Sequence, residues 1–513
     1  MHTPILGQSY VARSLNAAAD RMINLYPEAI PGEGQTSAYL NRAPGLRKIM
    51  NVGAGPIRGE WQYGGKGYVV SGQEVYQLDS SWNAKLIGAV SGTGPVSMAD
   101  NGIQLFIACN GPSYIFNNKT NEFAQITDPD FTGAVTVMYL DGYFVYNEPN
   151  SQSIWVTGLL DGTSIDPLAF ASAEANPDNV VTIMADHGEL WVFGTNSIEV
   201  WYDAGTIPFP FARIQGAYTE LGCAAPYSVA KADNTIFWLG ADARGRGIVF
   251  RAEGYRGTRV STHAIEYAIQ SYGDISNAIA YTYQQDGHSF YVLTFPSASK
   301  TWVYDAATQL WHERAAWDQF HGVFYRHRSN CQMSFNNEIV VGDYENGNLY
   351  AFDLSVYDDN GALQKWLRSW RAIPPNQNNL KRTAHHTLQL ITESGVGLQQ
   401  YPEDAGGAYL LTQDGKRIII TGASPNPIVT TAHQSGAGYN PEVMLRWSDD
   451  GGHTWSNEHW RTMGKYGETW YRTIWRRLGM TVKLRDRVYE VAGTDPVKIA
   501  IMGAELVMSP TDA

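Results

Sequence analysis

Seven short segments of this chain share one pattern, and their spacing restricts the fold more than any other feature. In each, an apolar run leads to a turn with Gly, Asn or Ser, and a second run follows that carries an aromatic residue. They are YVVSGQEVYQLD at 68–79, LFIACNGPSYIF at 105–116, YFVYNEPNSQSIWV at 143–156, LWVFGTNSIEVWYD at 190–203, FWLGADARGRGIVF at 237–250, FYVLTFPSASKTWVYD at 290–305 and IVVGDYENGNLYAFD at 339–353. Successive starts lie 37 to 53 residues apart. A hairpin repeated at roughly 40–50 residues is the signature of β-propeller blades. One hairpin cannot bury its apolar face alone, whereas stacked blades bury it against each other and a ring removes free edges. The pairs Asp141-Gly142 and Asp286-Gly287 precede the third and sixth units and suit two-residue turns with φ > 0. Thirty Tyr, 16 Trp and 51 Gly fit half-buried pleats joined by turns.

The expected class is therefore all-β: a propeller of six or seven blades at 51–356, with an N-terminal arm and a C-terminal β-sandwich-like domain. Residues 1–50 are punctuated by Pro27, Pro31, Pro44 and nearby glycines, and read as an extended arm around a short helix near 14–24. The polar stretch 357–382, with Pro374-Pro375, reads as a linker. After it, seven short strands (HTLQLIT, RIIITG, EVMLRWS, WYRTIW, VYEVAG, VKIAIMG, AELVMS) predict a β-sandwich-like domain at 383–513.

The formal charge is −13 from 37 basic and 50 acidic residues, which argues against binding DNA through the overall field. The N-terminus lacks the apolar core of a secretory signal, and no apolar run reaches ~18 residues. The expectation is a soluble chain made in a cytoplasm. Cys109, Cys223 and Cys331 stand far apart and read as buried reduced thiols rather than a zinc or disulfide framework.

No catalytic constellation, metal-ligand set or cofactor motif emerges. GxSxG, HExxH and Walker A patterns are missing. His385-His386 and the His321/His327 pair have no third ligand. The best local match is an Asp-box turn: Ser448, Asp450, Gly452, Thr454 and Trp455. In such a turn a short carboxylate caps backbone N–H groups and Gly takes the left-handed position. The box also occurs in sialidase-like propellers, so a carbohydrate-binding or sialidase-like propeller is the alternative reading. Glycoside hydrolysis, however, needs two placed carboxylates, and nothing pairs them here. A basic, aromatic stretch near the end stands out in an acidic chain. From it Trp470, Arg472, Trp475, Arg476, Arg477, Arg485 and Arg487 are the candidate subunit interface, since Trp and Arg are favoured contact anchors. Strand alternation puts Trp470, Arg472, Ile474 and Arg476 on one face.

Both ends carry a family resemblance. The words Asp20-Arg21-Met22-Ile23-Asn24-Leu25-Tyr26-Pro27-Glu28, Tyr39-Leu40, Pro44-Gly45-Leu46 and Arg58-Gly59 resemble the opening of podoviral packaged-DNA stabilisation proteins. Trp475-Arg476-Arg477-Leu478-Gly479, Arg487-Val488, Pro496-Val497 and Gly503-Ala504 resemble their ending. The resemblance implies a non-enzymatic tail hub or nozzle, with six copies in a ring below the portal and adaptor. Such a ring retains packaged DNA, conducts it during ejection without sequence-specific binding, and carries a needle, tailspike or fibre protein. It implies a virion location after assembly in the host cytoplasm. The lack of a long apolar run predicts no membrane-spanning segment, and an acidic or mixed channel wall is expected because sticky walls would slow ejection. The resemblance brings no catalytic or cofactor residues.

Overall fold

The computed structural model describes residues 1–32, 36–173, 176–242, 245–373, 382–398, 437–482 and 487–511. They form two compact units, residues 46–353 and residues 1–45 with 354–513.

The first unit is a β-propeller of seven blades. Blade one contains Ile57–Tyr63, Lys66–Ser71, Glu74–Leu78 and Ala84–Ala89, paired in sequence order. Blades two to four repeat this four-stranded meander through residue 219, and blade five, at 222–259, splits its inner strand in two. Blade six runs from Ile279–Gln285 to Leu310–Glu313. Blade seven takes three strands from 329–353 and its fourth, Gly45–Asn51, from far back in the chain. Each of the seven sequence units is the central hairpin of one blade. The ring closes where the Asn330 side-chain amide of blade seven donates to the Ile57 carbonyl of blade one at 2.8 Å.

Blades stack through apolar layers. Tyr68, Val70, Leu105 and Ile107 join blades one and two, and Phe106, Phe144 and Tyr146 join two and three. Ile57, Val69, Met333 and Val340 fill the closing seam. Asp141-Gly142 and Asp286-Gly287 both have φ > 0 at each residue, as a tight hairpin turn requires. Less obvious pairs, His187-Gly188, Asp233-Asn234 and Asn336-Asn337, adopt the same conformation at the same place in their blades. Among the described residues one α-helix, His263–Gln270, is capped at Thr262, and no helix is long and apolar enough to cross a membrane.

The second unit is a β-sandwich. One sheet orders Leu25–Ala29, Ala38–Arg42, Ala500–Pro510, Thr383–Thr392 and Thr473–Met480. The other contains Met22–Ile23, Trp366–Arg371, Val488–Gly493, Glu442–Ser448 and His459–Thr462. Trp366, Trp370, Leu388, Leu445, Trp475 and Tyr489 lie in their shared core.

Two expectations need correction. Residues 1–50 are not an arm around a helix: residues 14–24 contain a turn and short strands, strands up to Arg42 contribute to both sheets, and Gly45–Asn51 is a blade strand. Buried Met22, Leu25 and Leu40 explain why, since each must find a core. The stretch 357–382 is not only a linker either, because Trp366–Arg371 is an almost wholly buried strand between two others. The expected strand RIIITG lies outside the described residues.

Candidate interaction surface

The Asp-box turn follows the strand Glu442–Ser448. The Ser448 hydroxyl donates to Asp450 Oδ1 at 2.7 Å and accepts the Gly452 N–H at 2.7 Å. Asp450 Oδ1 also accepts the His453 and Thr454 N–H groups at 3.0 and 2.9 Å, and Oδ2 accepts the Thr454 hydroxyl at 2.6 Å. These bonds, those from Thr454 first, hold the Asp450 carboxyl well below the usual carboxylate range. Gly452 sits at φ 102°, and the Arg446 guanidinium lies 4.8 Å from the centre of the Trp455 ring. The Ser448, Asp450 and Thr454 side chains all bond within the turn, which belongs to the sandwich and not to the propeller.

The basic stretch divides into buried and exposed halves. Thr473–Met480 is the edge strand of its sheet, and its register pairs Ile474 with Gln389 and Arg476 with Thr387. Trp475 therefore points inward. It is 1% exposed, and its indole N–H donates to the His459 carbonyl at 2.8 Å. Arg487 is also interior. It forms a bidentate pair with Asp449 at 2.7 and 2.9 Å, donates to the Leu478 and Met480 carbonyls, and lies over Trp447. Neither residue is available as a contact anchor. Both were chosen by residue type, and the burial that inward alternation imposes overrides that choice. Arg485 lies outside the described residues.

What remains outside is Trp470, 77% exposed, with Arg472, Arg476 and Arg477. Trp460 and Tyr466 add 45% and 64% exposed rings, and Arg461 is exposed beside them. Arg476 and Arg477 are adjacent in sequence, yet both face solvent. The cause is a bulge: Arg477 takes φ 60°, the pairing slips between Arg476 and Gly479, and Leu478 returns to the core. Sequence alternation cannot reveal this, because it assumes a regular pleat.

The propeller has its own candidate site. A cavity of about 220 Å³ is lined by the inner strands of the blades, with Glu60, Met98, Met138, Met184, Tyr281 and Gln332 on its wall. Both Glu60 carboxyl oxygens are buried without a hydrogen-bond partner, and burial raises its pKa far above the usual value. No cluster of three or more His, Cys, Asp or Glu suited to a metal occurs among the described residues.

Each of the four histidines singled out in the sequence has a side-chain partner. His385 bonds the Tyr489 hydroxyl at 2.7 Å and Thr383 Oγ1 at 3.0 Å, and burial pushes its pKa down to about 3. His386 meets Ser509, His321 meets Asp318, and buried His327 bonds Ser329 at 2.7 Å. Cys109 and Cys223 are buried free thiols pushed up to about 11, whereas Cys331 is half-buried.

No curated protein matches the chain. Among solved structures it is similar to a streptogramin B lyase at 10% identity, covering 64% of this chain and 98% of that one with a TM-score of 0.38. It is also similar to the N-terminal domain of Nup159 at 10% identity, with coverages of 65% and 98% and a TM-score of 0.39. The extracellular domain of a two component system from B. thetaiotaomicron shows 11% identity, coverages of 87% and 58%, and a TM-score of 0.41. Family models are more telling. That of the bacteriophage P22 Gp10 β-propeller matches residues 1–357, and that of the P22 Gp10 β-sandwich matches residues 409–509. Together they span both units, and the chain belongs to the bacteriophage P22 Gp10 family of phage stabilisation proteins.

Proposed function

We propose that this chain is a structural subunit of a short-tailed phage tail, a hub or nozzle that extends the portal and adaptor channel. The observation that carries the reading is the family match across propeller and sandwich alike. In this reading copies of the chain form a closed ring, which retains packaged DNA and conducts it during ejection. Closed rings need heterologous contacts, one surface of each copy fitting a different surface of the next. A ring of six is the expected order. The adaptor would contact one side and a needle, tailspike or fibre protein the other.

The chemistry of the chain supports passage of DNA rather than capture. A net charge of −13 repels phosphate, and weak adhesion favours sliding. A seven-bladed ring suits a stiff spacer, since each blade is buried against two neighbours. Assembly would take place in the host cytoplasm, with the mature protein in the virion.

Electron microscopy of purified virions labelled with antibody against this chain tests the proposal. Label at the tail is the expected result. Label confined to capsid facets, or none, would overturn it.

A further inference from the structure

The inner strands of the propeller surround its axis, and the cavity of about 220 Å³ that they enclose draws wall residues from every blade. This is below the ~300–1,000 Å³ of drug-sized sites, so only a small molecule fits. Most polar side chains of the wall are already engaged. The Arg58 guanidinium donates to the Gly94, Gly72 and Ser91 carbonyls at 2.6, 2.8 and 3.1 Å. The Trp61 indole donates to Asp100 at 2.8 Å and the Tyr227 hydroxyl to the Val135 carbonyl at 3.4 Å, while the Tyr281 and Ser329 hydroxyls bond each other at 2.5 Å. The amides and aliphatic hydroxyls of the wall are bonded too.

Glu60 is the exception. It is 7% exposed, and neither carboxyl oxygen has a hydrogen-bond partner. It forms no ion pair among the described residues, and burial alone raises its pKa. A carboxyl in this position has lost its water and gained no donor in exchange. The repeat does not demand it. Five residues before the left-handed turn glycine, blade one has Glu60 where blades two to four have Ser97, Val137 and Ile183. Those blades pack with small or apolar side chains at the same place.

The rest of the wall identifies the ligand. Trp61, Tyr227 and Tyr281 bring aromatic rings whose polar ends are bonded to residues outside the wall. Met98, Met138 and Met184 add polarisable thioethers, which adapt to irregular apolar bodies. Rings and a carboxyl together suit an alkylated ammonium.

We propose that the propeller axis binds a small organic monocation, an ammonium group carrying alkyl substituents, with Glu60 as its counter-charge. The ammonium supplies the positive charge that the carboxyl lacks, and the alkyl groups face the rings and thioethers. One carboxyl selects one positive charge. Because every blade contributes to the wall, an occupant braces the inner strands together, and binding stabilises the propeller by mass action. The inference concerns the propeller alone and does not depend on the tail reading.

The test uses the full chain, with choline as the probe and 3,3-dimethylbutan-1-ol, its uncharged counterpart of the same shape, as the control. Titration calorimetry is expected to show choline bound about tenfold or more tightly than the alcohol. Glu60→Gln keeps the size of the side chain and removes its charge. It is expected to weaken choline binding about tenfold or more and to leave the alcohol unaffected. Methionine-methyl NMR of the wild type needs no variant. Choline should shift the Met98, Met138 and Met184 resonances and leave those of buried Met444 and Met463 in the sandwich unmoved. No binding of choline, equal binding of choline and the alcohol, an unchanged choline affinity in Glu60→Gln, or shifts confined to other methionines would each overturn the proposal.

Discussion

The two units bury polar side chains at very different sequence distances. In the propeller, Gln77 bonds Tyr68 nine residues away, Tyr350 bonds Asp343 seven away, and Thr308 bonds Asp305 three away. In the sandwich, Arg42 donates to Gln364 Oε1, 322 positions distant, and to the Val497 carbonyl, 455 distant. Arg368 donates to the Ile5 carbonyl, and Trp370 to the Thr3 hydroxyl, each more than 360 positions away. Apart from its closing seam, where Asn330 bonds Ile57, one unit is assembled from local pieces. The other is tied shut by buried guanidinium groups that reach the N-terminal segment. Burial alone lowers the pKa of Arg42 and Arg368 to about 10, so both stay charged at pH 7, and carbonyl oxygens take the place of lost water.

This contrast puts the largest effect in the sandwich. Arg42 fills its donors with Gln364, Asp495, Val497 and Tyr357 acceptors. Arg42→Met is expected to cost the sandwich about 3–5 kcal/mol, because those carbonyls lose their partner while staying buried. Amide hydrogen exchange should show protection lost at Leu25–Ala29, Ala38–Arg42 and Trp366–Arg371, with the blades unaffected. A loss under about 1 kcal/mol would break the claim that buried arginines tie this unit together.

The same contrast explains what could be read from the sequence. Blade hairpins repeat and close over a few residues, so their pattern is visible in any one unit, and all seven were. Inner and outer strands were harder: Ser97–Asp100 and Glu122–Gln125 have four residues each and little periodicity. Asp233-Asn234 and Asn336-Asn337 were readable as turns, since Asn and Asp tolerate φ > 0, but the Asp-Gly pairs are the stronger signal. Of the strands expected after 383, HTLQLIT, EVMLRWS and VYEVAG were legible, whereas VKIAIMG and AELVMS, read as two strands, form one, Ala500–Pro510. That Met22, Leu25 and Leu40 belong with them was not legible, because no local pattern encodes a partner several hundred residues away. The interface failed in the same manner. Trp475 and Arg487 look like anchors by type, yet only the fold shows that one fills the core and the other neutralises Asp449.

Acid and base should separate the units further. His327 in the propeller is pushed down to about 3 by burial and by Arg314 and Arg328, and His385 in the sandwich to about 3 by burial and Arg487. An imidazole with a lowered folded pKa stabilises fully above its unfolded value near 6.5. That stability is lost as pH falls from there toward 3, at up to about 1.4 kcal/mol per pH unit for each group. Both units should weaken in acid, and His327→Gln or His385→Gln should flatten the slope of its own unit only. Glu60 works in the opposite sense. Its raised folded pKa leaves its contribution intact below the unfolded value near 4.5 and removes it as pH rises. Glu60→Gln should therefore stabilise the propeller by about 1–3 kcal/mol at pH 8 and by little at pH 4. In the sandwich, burial also raises Glu490, but Arg446 pairs with it at 2.6 Å and offsets the effect. Equal alkaline limbs in the two units would undo this distinction, which thermal unfolding across pH can decide.

The smallest effect belongs to a blade turn. Gly287, at φ 80°, has open space where a Cβ would stand, so Gly287→Ala meets no clash. Its cost is backbone strain alone, about 1 kcal/mol for a left-handed non-glycine residue. The strands it joins, Ile279–Gln285 and His288–Phe295, pair along seven positions and hold the turn in place. Hydrogen exchange should rise at this hairpin and leave blades two to four unchanged, because a local turn in a repeated array transmits little. If Gly287→Ala instead loosened every blade, the propeller would have to be one cooperative body in which local pairing counts for little. Its contrast with the arginine-tied sandwich would then be one of sequence distance only, not of how each unit is held together.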